Sequence, residues 1–222
     1  IIINYFQGRD EARDVARETA DLVLVDDSFA RLAEGVRMGR RVYDNLARSV
    51  RFVYAVHLPV LGLILVPLVL KWPAPLLPLH LVLLHMLIDP ACSLVLEAEP
   101  EAPDLMARPP RDPGATPLGA RALGRGALLG LGVLAVLLGL VAWGMGAGWS
   151  PEAVRGALLP ALFGSAFLLV LAARGSGPLR ALTVPNARVG VMALGLGLVL
   201  GLILAVRPLR AVLQLAPLVP PW

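Results

Sequence analysis

Five apolar stretches decide what this chain can fold into. Four carry no formally charged side chain and the fifth carries only Asp89; they are residues 52–70, 72–96, 126–151, 156–173 and 189–206. A helix needs about 20 apolar residues to cross a bilayer, and a lipid-exposed backbone must satisfy its own hydrogen bonds. The pattern predicts an all-α membrane protein with spans near 50–70, 76–98, 121–147, 153–174 and 187–206.

The composition agrees with a membrane chain. Hydrophobic residues make up 57% of the sequence and mean hydropathy is +0.74, whereas a soluble domain is about 45–50% apolar. A pI near 10 raises nucleic acid as a partner. Most arginines, however, flank the apolar stretches, and the chain has no RNA-reading aromatic motif. We therefore expect the lipid bilayer as a partner and no nucleic acid.

The arginines also orient the predicted spans. They are frequent in residues 1–51, 97–125 and 174–188 and sparse in the other connections. Because basic loops stay in the cytoplasm, we expect a multi-pass protein with a cytoplasmic N terminus and, after five spans, an outer C terminus. The densely charged residues 8–51 do not resemble a signal peptide.

The beginning of the chain predicts a soluble remnant and a stalk. Val23, Leu24 and Val25 are typical of a short buried strand, and Asp26–Asp27 supply turn and capping chemistry. Helical spacing of apolar residues from Phe29 then leads into the first span. We expect a short cytoplasmic α/β remnant over 1–28, a stalk helix over 29–51 and a transmembrane domain over 52–222. A separate surface helix is the alternative to a continuous stalk.

Asp89 is the first candidate functional residue. A carboxyl group in an apolar span costs about 3 kcal/mol on insertion scales and by default suggests function. His85 lies four residues earlier, on the same helical face, and His57 lies in the first span. Pro90 and Pro59 each remove a backbone donor and free a carbonyl oxygen nearby. The structural alternative is a neutral or paired carboxyl with histidines that only pack.

Other polar and small residues invite plainer interpretations. We expect His80 to be a hydrated boundary residue, Glu97 and Glu99 to be solvated, and Cys92 to be a packing residue rather than a soft metal ligand. Two Gly-x-x-x-Gly pairs, at 126 and 130 and at 197 and 201, predict close helix contacts.

Three ordered motifs carry a family resemblance. Residues 14–29 (DVARETADLVLVDDSF), 39–46 (GRRVYDNL) and 104–113 (DLMARPPRDP) resemble the end of the phosphorylation domain, the stalk into the fifth helix and the loop after the sixth helix of P-type cation-transporting ATPases. The later spans are similar in layout to helices seven to nine. The resemblance implies the membrane part of an ATP-driven cation pump, in a bacterial plasma membrane.

The family's catalytic motifs DKTGT, TGD and GDGxND do not occur in this sequence. The resemblance therefore implies a C-terminal fragment with no catalytic residues of its own, which does not hydrolyse ATP by itself. The parent protein would use ATP and Mg²⁺ in N-terminal pump domains that this chain lacks. A standalone membrane regulatory subunit and a proton-coupled secondary transporter are the alternatives.

The resemblance also maps ion ligands onto this chain. Against the calcium-pump pattern, His85, Ile88 and Asp89 take the Asn, Thr and Asp positions of the sixth helix, and His57 and Val60 take the Asn and Glu positions of the fifth. Calcium prefers six to eight oxygen ligands, so a calcium site of the usual kind is not expected. Imidazole with carboxylate suits a transition metal or a proton relay, and no metal ligand is assigned with certainty.

Overall fold

The computed structural model describes residues 15, 18–20, 28–110, 119–174 and 187–216, apart from the side chains of residues 29, 89, 91–93 and 120–122. These described residues form helices, turns and connecting segments, with no strand among them. The predicted strand at residues 23–25 and the predicted cap at Asp26–Asp27 lie outside the described residues. So do residues 111–118, which include the end of the 104–113 motif.

Six helices follow one another along the described chain. They are α1 (Phe29–Leu70), α2 (Pro78–Glu97), α3 (Ala120–Gly146), α4 (Pro151–Ala173), α5 (Ala187–Ala205) and α6 (Arg207–Val212). The 42 residues of α1 are continuous through residues 40–56, as the apolar spacing of the stalk and first span predicted. The fold is therefore an all-α helix bundle with a long first helix.

Local backbone chemistry explains where several helices begin and end. Lys71 has a φ of 56° and Gln214 a φ of 50°, and each follows the last helical turn of α1 or α6 in a left-handed C-terminal turn. The bond from Trp72 N–H to the Pro67 carbonyl, at 2.8 Å, closes that turn in α1. At the start of α4, the Ser150 hydroxyl accepts from the Ala153 N–H at 3.2 Å, which is ordinary N-terminal capping.

Length and apolarity mark the helices that cross the membrane. Among the described residues, four segments are long and apolar enough: Ala30–Leu70, Leu123–Gly146, Pro151–Ala173 and Ala187–Ala205. The described apolar part of α2, Pro78–Ile88, is shorter, although α2 as a whole has 20 residues. The chain is thus a multi-pass integral membrane protein, and α2 as a fifth crossing stays a prediction.

The chain divides into two compact units. The smaller contains residues 1–42 and 101–109, and the larger contains residues 43–100 and 110–222. In the larger unit α4 is the most enclosed span, with 50% of its apolar window buried against 17% in α5. Leu158 and Leu159 of α4 are fully buried, as is Leu63 of α1. The apolar core of this unit is therefore built around α4.

In the smaller unit, Arg40 forms hydrogen bonds with the backbone of the segment 101–109. Its guanidinium donates to the carbonyl oxygens of Leu105 at 3.0 Å and Arg108 at 2.8 Å, and the Leu105 side chain is buried. Arg108 also donates to both carboxylate oxygens of Asp104, at 2.8 and 3.0 Å. This bond holds the pKa of the exposed Asp104 carboxyl below its usual value.

Glycines let α1 and α3 approach closely in the larger unit. A methyl group added at Gly130 would lie 2.7 Å from the Ala55 carbonyl oxygen, and one at Gly126 would lie 3.1 Å from the Arg51 carbonyl oxygen. The predicted contact of the 126–130 pair is therefore confirmed. The prediction for Gly197 and Gly201 is wrong for the described part of the chain, because an added methyl group at either would meet nothing there within 4 Å.

Candidate functional site

Two histidines that are distant in sequence meet between α1 and α2. The ring centroids of His57 and His85 are 5.3 Å apart, with the ring planes at 66°. His57 is exposed and His85 is half-buried. The structure therefore brings together two of the three residues predicted for the site.

Each of these rings uses one nitrogen to bind its own helix. The Nδ1 atom of His57 lies 2.8 Å from the Val53 carbonyl oxygen, and that of His85 lies 2.7 Å from the Leu81 carbonyl oxygen. A carbonyl only accepts, so Nδ1 carries the proton, and the neutral ring has an unprotonated Nε2. Among the described residues neither Nε2 atom has a hydrogen-bond partner. Within the described part of the structure, each Nε2 lone pair is therefore without a partner and could accept a ligand or a proton.

Asp89 lies one helical turn after His85 in α2. The spacing of four residues puts the two positions on one helical face. Its side chain lies outside the described part of the structure, as does that of Cys92. The part that Asp89 plays beside the histidine pair therefore stays a prediction.

The two predicted prolines lie inside continuous helices. Pro59 is within α1 and Pro90 within α2, so each removes one hydrogen bond without ending its helix. Pro59 deprives the Ala55 carbonyl of its helical donor. That carbonyl faces Gly130 of α3 at close range, so it is covered by α3. Pro59 therefore helps the α1–α3 contact.

The positions of the remaining family ligands are apolar and enclosed. Val60 is 7% exposed and Ile88 is 1% exposed, and both belong to the hydrophobic core. Within the described residues, no group of three or more His, Cys, Asp or Glu side chains could hold a metal ion. An oxygen-rich calcium site of six to eight ligands has no counterpart in this part of the chain.

A buried polar cluster joins three helices where α2 ends. Asn45 of α1 is 5% exposed and donates to the carbonyl oxygens of Glu97 at 2.9 Å and Glu99 at 3.3 Å. The Glu99 carboxylate pairs with Arg174 beyond the end of α4, and both side chains are buried, at 5% and 3% exposed. The prediction that Glu99 is solvated is wrong, because Arg174 supplies its counter-charge. We call Asn45, Glu99 and Arg174 the Glu99 cluster.

A second buried cluster lies where α2 begins. His80 is 1% exposed. Its Nδ1 accepts from the Leu77 N–H at 3.2 Å, so its Nε2 carries the proton and donates to the Leu213 carbonyl at 2.7 Å. The prediction of a hydrated boundary residue is wrong, because the turn after α6 covers His80. Arg155 of α4, described next, binds the same turn, and we call His80 and Arg155 the His80 cluster.

Arg155 holds the same turn from α4. It is 6% exposed, and it donates to the carbonyl oxygen of Gln214 at 3.1 Å and to that of Ala74 at 3.4 Å. Glu152 pairs with it at 3.0 Å, and the Ala216 N–H donates to the Glu152 carbonyl at 3.0 Å. The segment after α6 is therefore bonded to the starts of α2 and α4.

Sequence reasoning missed Asn45, Arg155 and Arg174 as structural residues. Each was weighed only as part of a motif or of the charge distribution. The usable signal was an amide or a charge within about one turn of a predicted span end, where burial needs a partner. The partners themselves lie too far along the chain to be identified from spacing.

The fold and the site together define a class of protein. Several apolar helices are long enough to cross the membrane, and His57 of α1 meets His85 half-way along α2. Ionisable groups inside a membrane bundle are typical of ion and proton pathways. The class is therefore a multi-pass integral membrane protein with a pair of ionisable side chains in contact between two of its helices.

Comparison with known proteins gives the family. Residues 73–222, more than half of the chain, match the family model described as "Cation transporting ATPase, C-terminus". The chain belongs to this family, whose relatives are P-type cation-transporting ATPases.

Individual relatives are similar over a limited length. A calcium-transporting ATPase of Listeria monocytogenes is 36% identical over 99 residues, which cover 45% of this chain and 11% of that protein. A calcium-transporting ATPase of Bacillus subtilis is 31% identical over 125 residues, covering 54% and 14%. The sodium/potassium-transporting ATPase subunit alpha of Drosophila melanogaster is 33% identical over 100 residues, covering 45% and 10%. The matched region is thus a small part of each relative.

Proposed function

We propose that this chain is the membrane part of an ATP-driven cation pump, and that Asp89, His85 and His57 lie on its ion path. The observation that supports this most strongly is the His57–His85 pair, at 5.3 Å between centroids, in which neither Nε2 atom has a hydrogen-bond partner among the described residues. Family membership supports cation transport, and the helices supply the membrane setting. ATP and Mg²⁺ would act in the other domains of the intact pump.

The ligand chemistry favours a cation that imidazole nitrogen accepts. An imidazole–zinc bond of about 2.0–2.1 Å puts the ring centroid about 3.2 Å from the ion. Two centroids 5.3 Å apart are close enough for both rings to reach one shared ion at that distance. Val60 and Ile88 offer no oxygen. We therefore propose a borderline divalent metal ion or a proton as the cargo, since both use the Nε2 lone pair.

The orientation of the intact pump follows from its charges. Arginines before the first span and in the loops 97–125 and 174–188 favour a cytoplasmic N terminus. The bacterial relatives support a bacterial plasma membrane. With this orientation the Glu99 cluster lies at the cytoplasmic side and the His80 cluster at the outer side.

The first test uses Asp89→Asn in the intact pump, reconstituted in vesicles. This change keeps the side-chain shape and removes the charge. Ion-stimulated ATP hydrolysis and transport should fall by at least about tenfold, the loss typical of a disturbed metal site. Glu34→Gln is the matched control, because Glu34 is an exposed carboxylate of α1. Unchanged transport in Asp89→Asn, at normal expression, would remove Asp89 from the ion path.

The second test separates the two cargo classes. In the same pump, His57→Ala and His85→Ala are assayed against Zn²⁺, Co²⁺, Ca²⁺ and external pH. A metal cargo predicts that the variants raise the Zn²⁺ or Co²⁺ concentration needed for half-maximal ATP hydrolysis. A proton cargo predicts a shifted pH profile without metal stimulation. If neither property changes, the histidine pair is a packing contact and the site assignment fails.

A further inference from the structure

The start of α2 carries a histidine whose two ring nitrogens both have backbone partners. The Nδ1 atom of His80 accepts from the Leu77 N–H at 3.2 Å, and its Nε2 atom lies 2.7 Å from the Leu213 carbonyl oxygen. His80 is 1% exposed. One nitrogen accepts while the other donates, and only the neutral ring does both. The His80 contact, defined by these bonds to Leu77 and Leu213, therefore requires an uncharged ring.

A second proton on this ring finds no acceptor in the His80 contact. It would enter at Nδ1, toward which the Leu77 N–H already points, so two donors would face each other across 3.2 Å. Leu77 is the N-terminal cap residue of α2, and its bond to the ring would be lost. A buried donor without an acceptor is costly. Protonation of His80 therefore opposes the closed contact.

The charges at this end of the bundle act in the same direction. His80 is in the first turn of α2, where the positive end of the helix dipole disfavours a cation. The segment after α1, the start of α4 and the helix α6 contribute the charged side chains here, whereas the last turns of α3 and α5 have none: Lys71, Glu152, Arg155, Arg207 and Arg210. The carboxylate among them, Glu152, is paired with Arg155 at 3.0 Å. An imidazolium at this position would thus add a cation where cations already outnumber carboxylates.

The bond from His80 joins α2 to the turn after α6, residues 213–216. Leu213 is 6% exposed, and its carbonyl oxygen is the acceptor of the His80 Nε2–H. The helix α4 holds the same turn separately, because Arg155 donates to the Gln214 carbonyl at 3.1 Å. Loss of the His80 bond would therefore release the turn from α2 and leave it bonded to α4.

We propose that the His80 contact is a pH-sensitive switch, in which protonation moves the ring out of its buried position and releases the turn 213–216 from α2. Outside the contact, water can accept from the second ring N–H. Since the closed contact holds one ring proton fewer than the open one, the open fraction should grow as pH falls below about 6.5, the ordinary pKa of histidine, by about tenfold per pH unit.

The switch shares no residue with the histidine pair, although α2 also carries His85. With the orientation proposed above, it responds to the acidity of the outer solution. Any effect on transport through α2 rests on the proposed function. The contact itself does not, because its bonds are local to the start of α2 and the turn after α6.

The test measures amide hydrogen exchange of the full chain in lipid nanodiscs between pH 8 and pH 5. Mass spectrometry follows the peptides that contain residues 76–81 and 211–216, and each rate is divided by the intrinsic rate of an unstructured peptide at the same pH. In the wild type this corrected rate should be constant above about pH 7. It should rise by at least about tenfold between pH 6.5 and pH 5.

Three variants assign the response to His80. The amide of His80→Gln keeps one acceptor and one donor but does not titrate, so its corrected rate should stay low at every pH. His80→Phe removes both bonds and should exchange fast at every pH. His85→Gln is the matched control, because it removes a histidine of the same helix, and it should keep the wild-type response to pH.

A corrected rate that does not change with pH in the wild type would overturn the proposal, and so would an equal rise in His80→Gln, because another group would then titrate. If His80→Gln does not fold, ring ¹⁵N NMR decides. A chain with His57→Gln and His85→Gln retains His80 as its single histidine, and that ring must gain its proton over the pH range in which exchange rises. A ring that stays neutral while exchange rises would contradict the switch. Removing the ion-path assignment would change none of these rates, so the two proposals fail separately.

Discussion

The middle and the ends of α2 use the same kinds of polar side chain in different ways. At one end, both ring nitrogens of His80 have backbone partners, and at the other end Glu99 is paired with Arg174. Half-way along α2, His85 meets His57 of α1, and each ring binds its own helix through Nδ1, with no partner for Nε2 among the described residues. Within the described residues, the polar groups at the ends of α2 therefore have partners, whereas the Nε2 atoms of the histidine pair have none.

This difference distinguishes polar side chains that hold the helices together from polar side chains that could bind a ligand. A buried polar group that has all its partners stabilises one arrangement of helices, because losing any partner leaves an unsatisfied group. A group with a spare lone pair has little to hold the bundle together and something to offer a ligand. Residue type alone does not distinguish the two, since histidine occurs in both.

The largest effect is expected at the Glu99 cluster. Arg174→Met leaves the Glu99 carboxylate buried without its counter-charge, so the free energy of unfolding should fall by about 3–5 kcal/mol. Denaturant titration of the chain in bicelles measures this. The double variant Glu99→Gln with Arg174→Met should recover much of the loss. If Arg174→Met is as stable as the wild type, the Glu99–Arg174 pair does not stabilise this end of α2.

The next effect concerns metal affinity in the middle. His57→Asn and His85→Asn should each weaken Zn²⁺ or Co²⁺ binding to the full chain by at least about tenfold, because each removes an imidazole ligand. His80→Asn should leave the affinity unchanged, since neither of its nitrogens is available. Titration calorimetry and the Co²⁺ absorption spectrum measure the change. Equal affinity in all three variants would erase the distinction between the middle and the ends.

A smaller effect is expected on stability, where replacing His80 at the start of α2 should cost more than replacing His57 of the histidine pair. His80→Phe removes two hydrogen bonds at a buried position, so the free energy of unfolding should fall by about 1–3 kcal/mol. His57→Phe at an exposed position should change it by less than about 0.5 kcal/mol. The same denaturant titration compares them. A larger loss in His57→Phe than in His80→Phe would contradict the assignment of His80 to the fully bonded end.

The smallest effect tests the packing beneath the histidine pair. Gly130→Ala would press a methyl group against the Ala55 carbonyl, one turn from Pro59, and should destabilise the chain by about 1 kcal/mol after the gain in helix propensity. Gly197→Ala faces open space and should be neutral or slightly stabilising. If both variants behave alike, close contact between α1 and α3 is not needed to hold His57 in place.

Much of the fold followed from local pattern. The apolar stretches predicted where helices lie, because a helix in lipid satisfies its backbone within itself. The C-terminal ends of α1 and α6 were harder to predict from the sequence. Lys71 and Gln214 occupy left-handed positions that favour glycine, so neither residue type signals a helix end.

Only the part of the candidate site that lies within one helix was predictable from the sequence. His85 and Asp89 share a helical face by spacing alone, and their position in an apolar span marked them. The contact between His85 and His57 required the packing of α2 on α1. His80 was misjudged because its acceptor, the Leu213 carbonyl, lies 133 residues away in the chain.

The sequence by itself determined which segments leave water, because transfer into lipid depends on the summed polarity of consecutive residues. It also predicts that the basic loops lie on the cytoplasmic side. The tertiary structure alone decided which polar side chains meet a partner among the described residues. The Glu99 carboxylate is paired with an arginine 75 residues away, and the His57–His85 pair joins two different helices. Such partners meet only when the helices pack, and the number of partners that each nitrogen or oxygen finds there sets its role.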